Sequence, residues 1–109
     1  MTFERTMDVR TITITYDYSG DEAAWEALTD AFVRALDGDP ETGGKFTYQI
    51  AVADNGASRV HWGRWDSAET LAHVQSQPYF KAFASGLKDL LGAAPQTLGA
   101  NVVKKTRGW

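Results

Sequence analysis

The chain of 109 residues contains no cysteine. This absence excludes disulfide frameworks, thiolate metal sites, iron–sulfur clusters and cysteine nucleophiles. It is compatible with a reducing cytoplasm, which is where we expect the protein to be located. A chain of this length can bury the core of one domain without a disulfide or a structural metal.

Long apolar runs and an excess of basic charge are also lacking. No apolar run approaches the roughly 20 residues that are needed to cross a bilayer, and residues 1–10 lack the apolar segment of a signal peptide. The formal net charge is −3, so the chain lacks the electrostatic footprint that is typical of nucleic-acid binding. We therefore expect neither a membrane nor a nucleic acid as a partner.

Residues suited to hold a metal or to act as nucleophiles are few. The two histidines, His61 and His73, are isolated, and no paired carboxylates have the spacing of a metal site. No glycine-rich phosphate loop follows a predicted strand, and no G-x-S-x-G motif occurs. We expect no metal and no bound cofactor.

Aromatic residues are abundant, with four Trp, four Tyr and five Phe, and they fall within clear periodic patterns. Alternation of apolar and polar residues predicts strands over 11–18, 45–53, 59–65 and about 96–104. Helical spacing predicts one helix before Gly38, a short second helix after residue 67 and a third that opens at Pro78. We interpret Ser19 to Glu22 as a capping box with Ser19 as N-cap. Asn55-Gly56 predicts a hairpin turn in which both residues adopt positive φ.

The element order β-α-β-β-α(α)-β predicts an α+β, ferredoxin-like βαββαβ fold. Its four-stranded antiparallel sheet has helices on one face, and its second helical region is split in two. Residues 11–105 form the predicted domain, between an N-terminal arm of residues 1–10 and a C-terminal tail of residues 106–109.

Alternation along the strands divides the predicted sheet into two faces. We assign the face of Tyr16, Tyr48, Trp62 and Arg64 to the helices, because two helical stripes can cover only one face of four strands. His61 then falls on the open face. The open face is mixed in character, so a partner there is compatible with the pattern but is not required by it. Its other members are Thr13, Thr15, Gln49, Ala51, Trp65, Gly99, Asn101 and Val103.

The strand order and the run from Trp65 to His73, followed by Ser76, Pro78 and Phe80, resemble the antibiotic-biosynthesis-monooxygenase-like proteins of the dimeric α/β-barrel superfamily. The matching features are a Trp at a strand end, a helix start with Ser and Glu, a helical His and a Ser-Pro-x-Phe turn, which Gln77 interrupts here. The resemblance covers roughly residues 10–105. It implies a homodimer in which the open faces of two sheets close an eight-stranded barrel. It also implies a pocket between the sheet and the helices of each subunit.

The candidate ligand-binding residues are mostly aromatic side chains assigned to the helix-covered face. Aromatic walls suit a flat, apolar or aromatic small ligand, and a tyrosine can donate a hydrogen bond to a developing oxyanion. An arginine beside them can clamp an anionic group. The alternative is that the aromatic side chains fill the core and that the arginine is an exposed strand-end residue. The candidates are Tyr16, Tyr48, Trp62, Arg64, Phe80 and Phe83.

The candidate acid–base residues are Tyr48, His73 and His61. A histidine titrates near neutral pH, which suits proton transfer. However, a helical wheel places His73 beside Glu69 and Thr70 on the polar face of its helix, where a surface histidine is the alternative. His61 lies in the middle of a strand, where a hydrogen-bonded structural histidine is the alternative.

Two functions remain open from the sequence. One is ligand binding in an aromatic pocket without assigned catalysis, and the other is a cofactor-independent monooxygenase of an electron-rich aromatic or enolic small molecule. Such a fold also hosts other chemistry, such as isomerisation or cyclisation. The haem-degrading branch of the resembled family has its axial His four residues after the Phe of the third helix, where this chain has Ala84, and a Trp where this chain has Val74. We therefore reject haem degradation.

Overall fold

The computed structural model describes residues 8–108. Its elements are β1 (Arg10–Asp17), α1 (Glu22–Gly38), β2 (Phe46–Val52), β3 (Ser58–Trp65), α2 (Ala68–Ser76), α3 (Pro78–Leu91) and β4 (Gln96–Asn101). The strands form one sheet in the order β2-β3-β1-β4, and each neighbouring pair is antiparallel. This is the predicted α+β, ferredoxin-like fold, with the second helical region divided into α2 and α3.

The ends of the chain are only partly described. Residues 1–7 of the predicted N-terminal arm and residue 109 of the predicted tail lie outside the described residues. Within residues 8–108, no helix is long and apolar enough to cross a membrane.

Helix α1 begins differently from the prediction. Its N-cap is Asp21. The carboxylate of Asp21 accepts hydrogen bonds from the backbone amides two and three residues later in the chain, at 2.9 and 3.3 Å. The capping box with Ser19 as N-cap was therefore wrong. The reason is a long-range contact: Glu22 accepts two hydrogen bonds from the guanidinium of Arg59, at 2.6 and 3.0 Å. Its carboxylate is thus turned toward the sheet instead of reaching back along the helix.

The guanidinium of Arg59 is buried with aromatic and acidic partners. The side chain is only 1% exposed, and its Cζ lies 4.4 Å from the centroid of the Trp25 ring and 5.4 Å from that of Tyr18. A buried charge is costly unless it is paired and hydrogen-bonded, and Glu22 supplies that pairing. Strand β3 is therefore tied to the first turn of α1.

The β2–β3 connection is a hairpin, as Asn55-Gly56 predicted, but its backbone differs. Gly56 has a φ of 77°, whereas no residue other than glycine has a positive φ in the part of the chain that the structure describes. The expectation of two positive φ angles was wrong, because residues 53–57 form a loop longer than two residues. The Asn55 side-chain oxygen instead holds the turn by accepting hydrogen bonds from the amides of Ala57 and Ser58, at 2.9 and 2.8 Å.

The register of the sheet reverses the predicted facing of β3. Ile14 pairs with His61, and Thr13 pairs with Trp62. Along β3 the residues that share the facing of His61 are buried, whereas those that share the facing of Trp62 are half-buried. His61 therefore faces the helices, and Trp62 and Arg64 lie on the open face.

The predictions for β3 were wrong because its buried face carries Arg59 and His61, two polar residues. Assigning the more apolar set of side chains to the interior therefore selects the set that lies on the open face. The same error affects Trp65, which is 6% exposed and faces the helices.

Strand β4 is also reversed. Gly99 pairs with Ile12, and Asn101 pairs with Arg10, so both lie on the helix-covered face. Leu98 pairs with Thr13 on the open face, where it is 69% exposed. The prediction that placed Gly99 and Asn101 on the open face was wrong, because apolar character did not decide the facing of this edge strand.

The core lies between the sheet and the three helices. The ring of Phe32 in α1 stacks on that of Phe83 in α3, with centroids 4.1 Å apart and planes 5° from parallel. The other buried members of the cluster come from α1, α2 and α3 and are Leu36, Val74 and Leu87. These contacts fix α3 over the helix-covered face of the sheet.

Candidate functional site

A cavity of about 840 Å³ lies between the sheet and helices α2 and α3. Strand β1 contributes Ile12 and Ile14 to its wall, and α3 contributes Phe80 and Phe83 from the opposite side. The wall is overwhelmingly apolar. The volume falls within the range of about 300–1,000 Å³ that is usual for small-molecule sites.

Polar side chains at the cavity come mainly from the ends of elements. Arg10 lies at the start of β1 and donates a hydrogen bond of 2.7 Å to the side-chain oxygen of Asn101. Lys88 and Asp89 lie near the end of α3, and both are exposed. Charged groups therefore lie where the cavity meets solvent, and the interior is left to aromatic and aliphatic groups.

Tyr48 is the tyrosine that lines the cavity. It is held on β2 beside Gly63, where an added Cβ would come within 3.2 Å of the tyrosine ring. Its hydroxyl lies 2.8 Å from Nδ1 of His61. Burial raises the pKa of Tyr48 above its usual value, so the phenol keeps its proton at neutral pH.

His61 lies directly behind Tyr48 and is completely buried. Its Nε2 is 2.6 Å from the hydroxyl of Tyr16, and its ring centroid is 5.8 Å from that of Phe83. Burial lowers the pKa of His61 to about 4, because the imidazolium would lose its hydration. The ring is therefore neutral at physiological pH, with one nitrogen that donates and one that accepts.

Tyr16 continues this chain of hydrogen bonds away from the cavity. Its hydroxyl oxygen accepts a hydrogen bond of 2.9 Å from Nε1 of Trp25 in α1. Burial raises the pKa of Tyr16, although the hydrogen bond from Trp25 opposes this effect. We call the connected groups Trp25, Tyr16, His61 and Tyr48 the tyrosine–histidine chain.

The structure separates the six predicted ligand-binding residues. Tyr48, Phe80 and Phe83 line the cavity. Tyr16 does not line it but reaches it through His61. Their binding roles stay predictions.

The assignment of Trp62 and Arg64 to the pocket was wrong. Both lie on the open face of the sheet, where the Cζ of Arg64 is 4.9 Å from the centroid of the Trp62 ring. The physical reason is that the facing of β3 is the reverse of the prediction. His61 and Trp65 therefore lie on the helix-covered face, where Trp62 and Arg64 had been expected.

The other predicted acid–base residue, His73, belongs to a separate cluster. Its Nε2 lies 2.7 Å from Oδ2 of Asp39, and the hydroxyl of Tyr79 donates to the same oxygen at 2.8 Å. The hydrogen bond from His73 is the main cause that lowers the pKa of Asp39. The cluster joins the end of α1 to α2 and α3, and none of its members lines the cavity.

Sequence reasoning missed several residues of the cavity wall. Trp65 and Phe46 stack at 5.8 Å between centroids and both line the cavity, but Trp65 had been assigned to the open face. Ala84 lines the cavity at the position that the haem-degrading branch gives to its axial His. Within residues 8–108, no group of three or more His, Cys, Asp or Glu side chains is placed to hold a metal.

No protein-family model matches the chain, and no curated protein matches it either. Several solved structures have the same fold. A candidate antibiotic biosynthesis monooxygenase from Nitrosomonas europaea superposes with a TM-score of 0.76 at 10% identity, covering 97% of this chain and 99% of that one. SnoaB, a cofactor-independent oxygenase from Streptomyces nogalater, superposes with a TM-score of 0.69 at 18% identity, covering 92% of this chain and 97% of that one.

A third similar structure contains a ligand. It is a monooxygenase from Streptomyces coelicolor in complex with Nanaomycin D, with a TM-score of 0.68 at 14% identity, covering 89% of each chain. At these low sequence identities the similarity establishes the fold alone. The chain thus has the fold of the antibiotic-biosynthesis-monooxygenase-like proteins, which confirms the resemblance at that level.

Proposed function

We propose that the protein binds a flat, largely apolar small molecule in the cavity between the sheet and helices α2 and α3. The observation that carries this proposal is the cavity itself, with a volume of about 840 Å³ and walls of aromatic and aliphatic side chains. Apolar pockets with a few convergent polar groups are the usual form of small-molecule sites. The similar structure from Streptomyces coelicolor, which contains Nanaomycin D, supports the proposal.

Binding of a planar tricyclic ketone tests this function. We expect 9-fluorenone to bind with one site per chain in isothermal titration calorimetry, because flat aromatic surfaces match the stacked rings of Phe46 and Trp65. Binding is also expected to change tryptophan fluorescence, since Trp65 lies in the cavity wall. Absence of both signals with fluorenone and with its hydrocarbon analogue fluorene would contradict the proposal.

A second candidate function is cofactor-independent oxygenation of an electron-rich aromatic or enolic substrate. The observation that favours it is the tyrosine–histidine chain, which places a neutral imidazole one hydrogen bond behind the cavity. In this chemistry the substrate loses a proton to water, and the resulting anion, whose oxygen can accept a hydrogen bond from Tyr48, is the reductant of dioxygen. The protein stabilises the anion and excludes water.

Anthrone is a suitable probe for this second function. One anthrone and one dioxygen give one anthraquinone and one water, so oxygen uptake and anthraquinone absorbance measure the same reaction. If the protein is an oxygenase, it accelerates both in the presence of a metal chelator, and Tyr48→Phe slows both. If binding is its only role, the rate equals that of buffer, although fluorenone still binds.

We also propose that the open face of the sheet contacts a second copy of the chain. On this face Trp62 and the strongly exposed Leu98 flank Thr13, and none of the helices within residues 8–108 covers them. Contiguous exposed apolar side chains mark an interaction surface. Sedimentation velocity at micromolar concentration is expected to show a dimer. Leu98→Glu is expected to shift it to the monomer by placing a charge in the interface.

The matched control for this variant is Thr97→Glu. Thr97 pairs with Ile14 and is exposed, so the same charge is introduced one residue away with the opposite facing. We expect Thr97→Glu to remain a dimer. A wild-type chain that sediments as a monomer would refute the proposed assembly.

A further inference from the structure

We infer that Tyr48 presents its hydroxyl proton to the ligand, so that the cavity prefers ligands with a hydrogen-bond acceptor, namely a carbonyl or enolate oxygen. Tyr16, which lies outside the cavity, acts as a positioning residue for this proton through His61. The inference rests on the ligand-binding function proposed above and specifies the chemistry of the ligand. Its basis is the direction of three consecutive hydrogen bonds.

The first bond has a fixed direction. An indole N–H donates and cannot accept, so the oxygen of Tyr16 is the acceptor in its 2.9 Å contact with Nε1 of Trp25. Trp25 is 7% exposed and belongs to the buried side of α1, which anchors this end of the chain. The proton of Tyr16 remains available for its other contact, with His61.

The second bond joins Tyr16 to Nε2 of His61 at 2.6 Å. This distance is shorter than the roughly 2.7–3.2 Å that is typical of N–H···O bonds, whereas O–H donors form shorter contacts. The distance therefore favours the hydroxyl of Tyr16 as donor and Nε2 as acceptor. Because the imidazole is neutral, its proton is then on Nδ1.

The third bond follows from that tautomer. Nδ1–H of His61 donates to the oxygen of Tyr48 across 2.8 Å, which lies within the ordinary N–H···O range. The hydroxyl proton of Tyr48 is thus not used by His61, and no other acceptor contacts this hydroxyl among the described residues. Tyr48 lines the cavity, and the acceptor that the inference assigns to its hydroxyl proton is an oxygen of a ligand bound there.

The opposite direction of the chain would give a different selectivity. If Nε2 carried the proton, Tyr48 would donate to Nδ1, and its oxygen would accept from ligand hydroxyl groups. Tyr16 would then accept two hydrogen bonds and keep an unused proton. A ligand carbonyl favours the first arrangement because it leaves a partner for every hydroxyl proton in the chain, and successive bonds of one direction strengthen each other.

The test compares 9-fluorenone with fluorene, which has the same rings without the carbonyl oxygen. The measured quantity is the ratio of the dissociation constants of the two compounds. The compounds differ in hydrophobicity by the same amount for every variant, so this difference cancels when the ratio of a variant is divided by that of the wild-type protein. Tyr48→Phe is expected to reduce the preference for the ketone about threefold to tenfold, the usual contribution of one neutral hydrogen bond. Tyr16→Phe is expected to reduce it by a smaller factor in the same direction.

Tyr18→Phe is the matched control. Tyr18 is a buried tyrosine whose hydroxyl donates to the backbone oxygen of Asp21 at 2.8 Å, outside the tyrosine–histidine chain. We expect it to leave the ratio unchanged. An unchanged ratio in Tyr16→Phe would overturn the role of Tyr16, and an unchanged ratio in Tyr48→Phe would overturn the inference as a whole.

A spectroscopic readout on the wild-type protein is independent of how the variants fold. Nitrogen-15 NMR of the imidazole is expected to show the Nδ1–H tautomer of His61 with fluorenone bound, and the carbonyl stretch of bound fluorenone is expected to shift to lower frequency. An Nε2–H tautomer in the complex would overturn the inference while the proposed binding function stands. If neither fluorenone nor fluorene binds, both the inference and the proposed binding function are overturned.

Discussion

Ala84→Phe is expected to weaken binding of 9-fluorenone at least about 100-fold, which is about 2.8 kcal/mol. Ala84 lies on α3 between Phe83 and Leu87 in sequence and contributes to the wall of the cavity. At this position the cavity is bordered only by a methyl group, whereas a phenyl ring that points into the cavity would occupy part of the volume that the ligand needs. Calorimetric titration measures the loss.

Ala82→Phe is the control for this variant. Ala82 is exposed on the same helix but does not line the cavity. Both variants replace alanine by phenylalanine within α3, so both carry the same cost in helix propensity, roughly 0.5 kcal/mol. We expect Ala82→Phe to bind fluorenone as the wild-type protein does. Equal affinities for the two variants would show that the ligand binds elsewhere.

Lowering the pH from 7 to 4.5 is expected to reduce the free energy of unfolding by about 2 kcal/mol through His61 alone. The pKa of His61 is lowered from 6.5 to about 4 by burial. Between these values the unfolded chain binds a proton at this residue and the folded chain does not. The part of the free energy of unfolding that depends on neutral His61 is therefore present in full above about pH 6.5 and is lost as the pH falls toward 4.

The pH window separates His61 from the shifted carboxyl groups. The pKa of Glu22 is lowered by Arg59, and that of Asp39 by His73, from values of 4.5 and 3.8. Groups with a lowered carboxyl pKa contribute stability that begins to be lost around those values and is lost mostly below them. Urea denaturation at pH 7, 6, 5.5, 5 and 4.5 thus reports mainly on His61 among these groups.

His61→Gln and His73→Gln form a matched pair for this measurement. His61→Gln is expected to lower stability at pH 7 but to flatten the curve between pH 6.5 and 4.5, because no imidazole is left behind Tyr48. His73→Gln keeps the buried imidazole of His61, so a slope that is present in His73→Gln and absent in His61→Gln assigns the titration to His61. An unchanged slope in His61→Gln would mean that another group titrates in this window.

The two strands that the sequence predicted best are β1 and β2. Their alternation puts Ile12, Ile14 and Tyr48 on the helix-covered face, and the structure agrees. Local alternation succeeds here because the helix-facing positions from Ile12 to Tyr16 in β1 and those of β2 are apolar or aromatic. The predicted aromatic pocket residues on β2 and α3 line the cavity for the same reason.

Strand β3 shows why the remainder of the site was not predictable. Alternation divides its side chains into two sets but does not say which set faces the helices. The apolar set, with Val60 and Trp62, lies on the open face, whereas Arg59 and His61 are buried by partners on other elements. Only knowledge of those partners identifies the buried set.

The order of strands and helices, the split of the second helical region and the aromatic character of the pocket were predictable from the amino-acid pattern. These features follow from periodicity over a few residues, which is a property of the chain alone. The facing of β3 and β4, the N-cap of α1 and the partners of both histidines depend on how the folded chain packs. The physical reason is distance along the chain: Tyr16 and His61 are 45 residues apart, and His73 and Asp39 are 34 apart. Contacts of this kind exist only once the sheet and the helices have packed, so no local pattern encodes them.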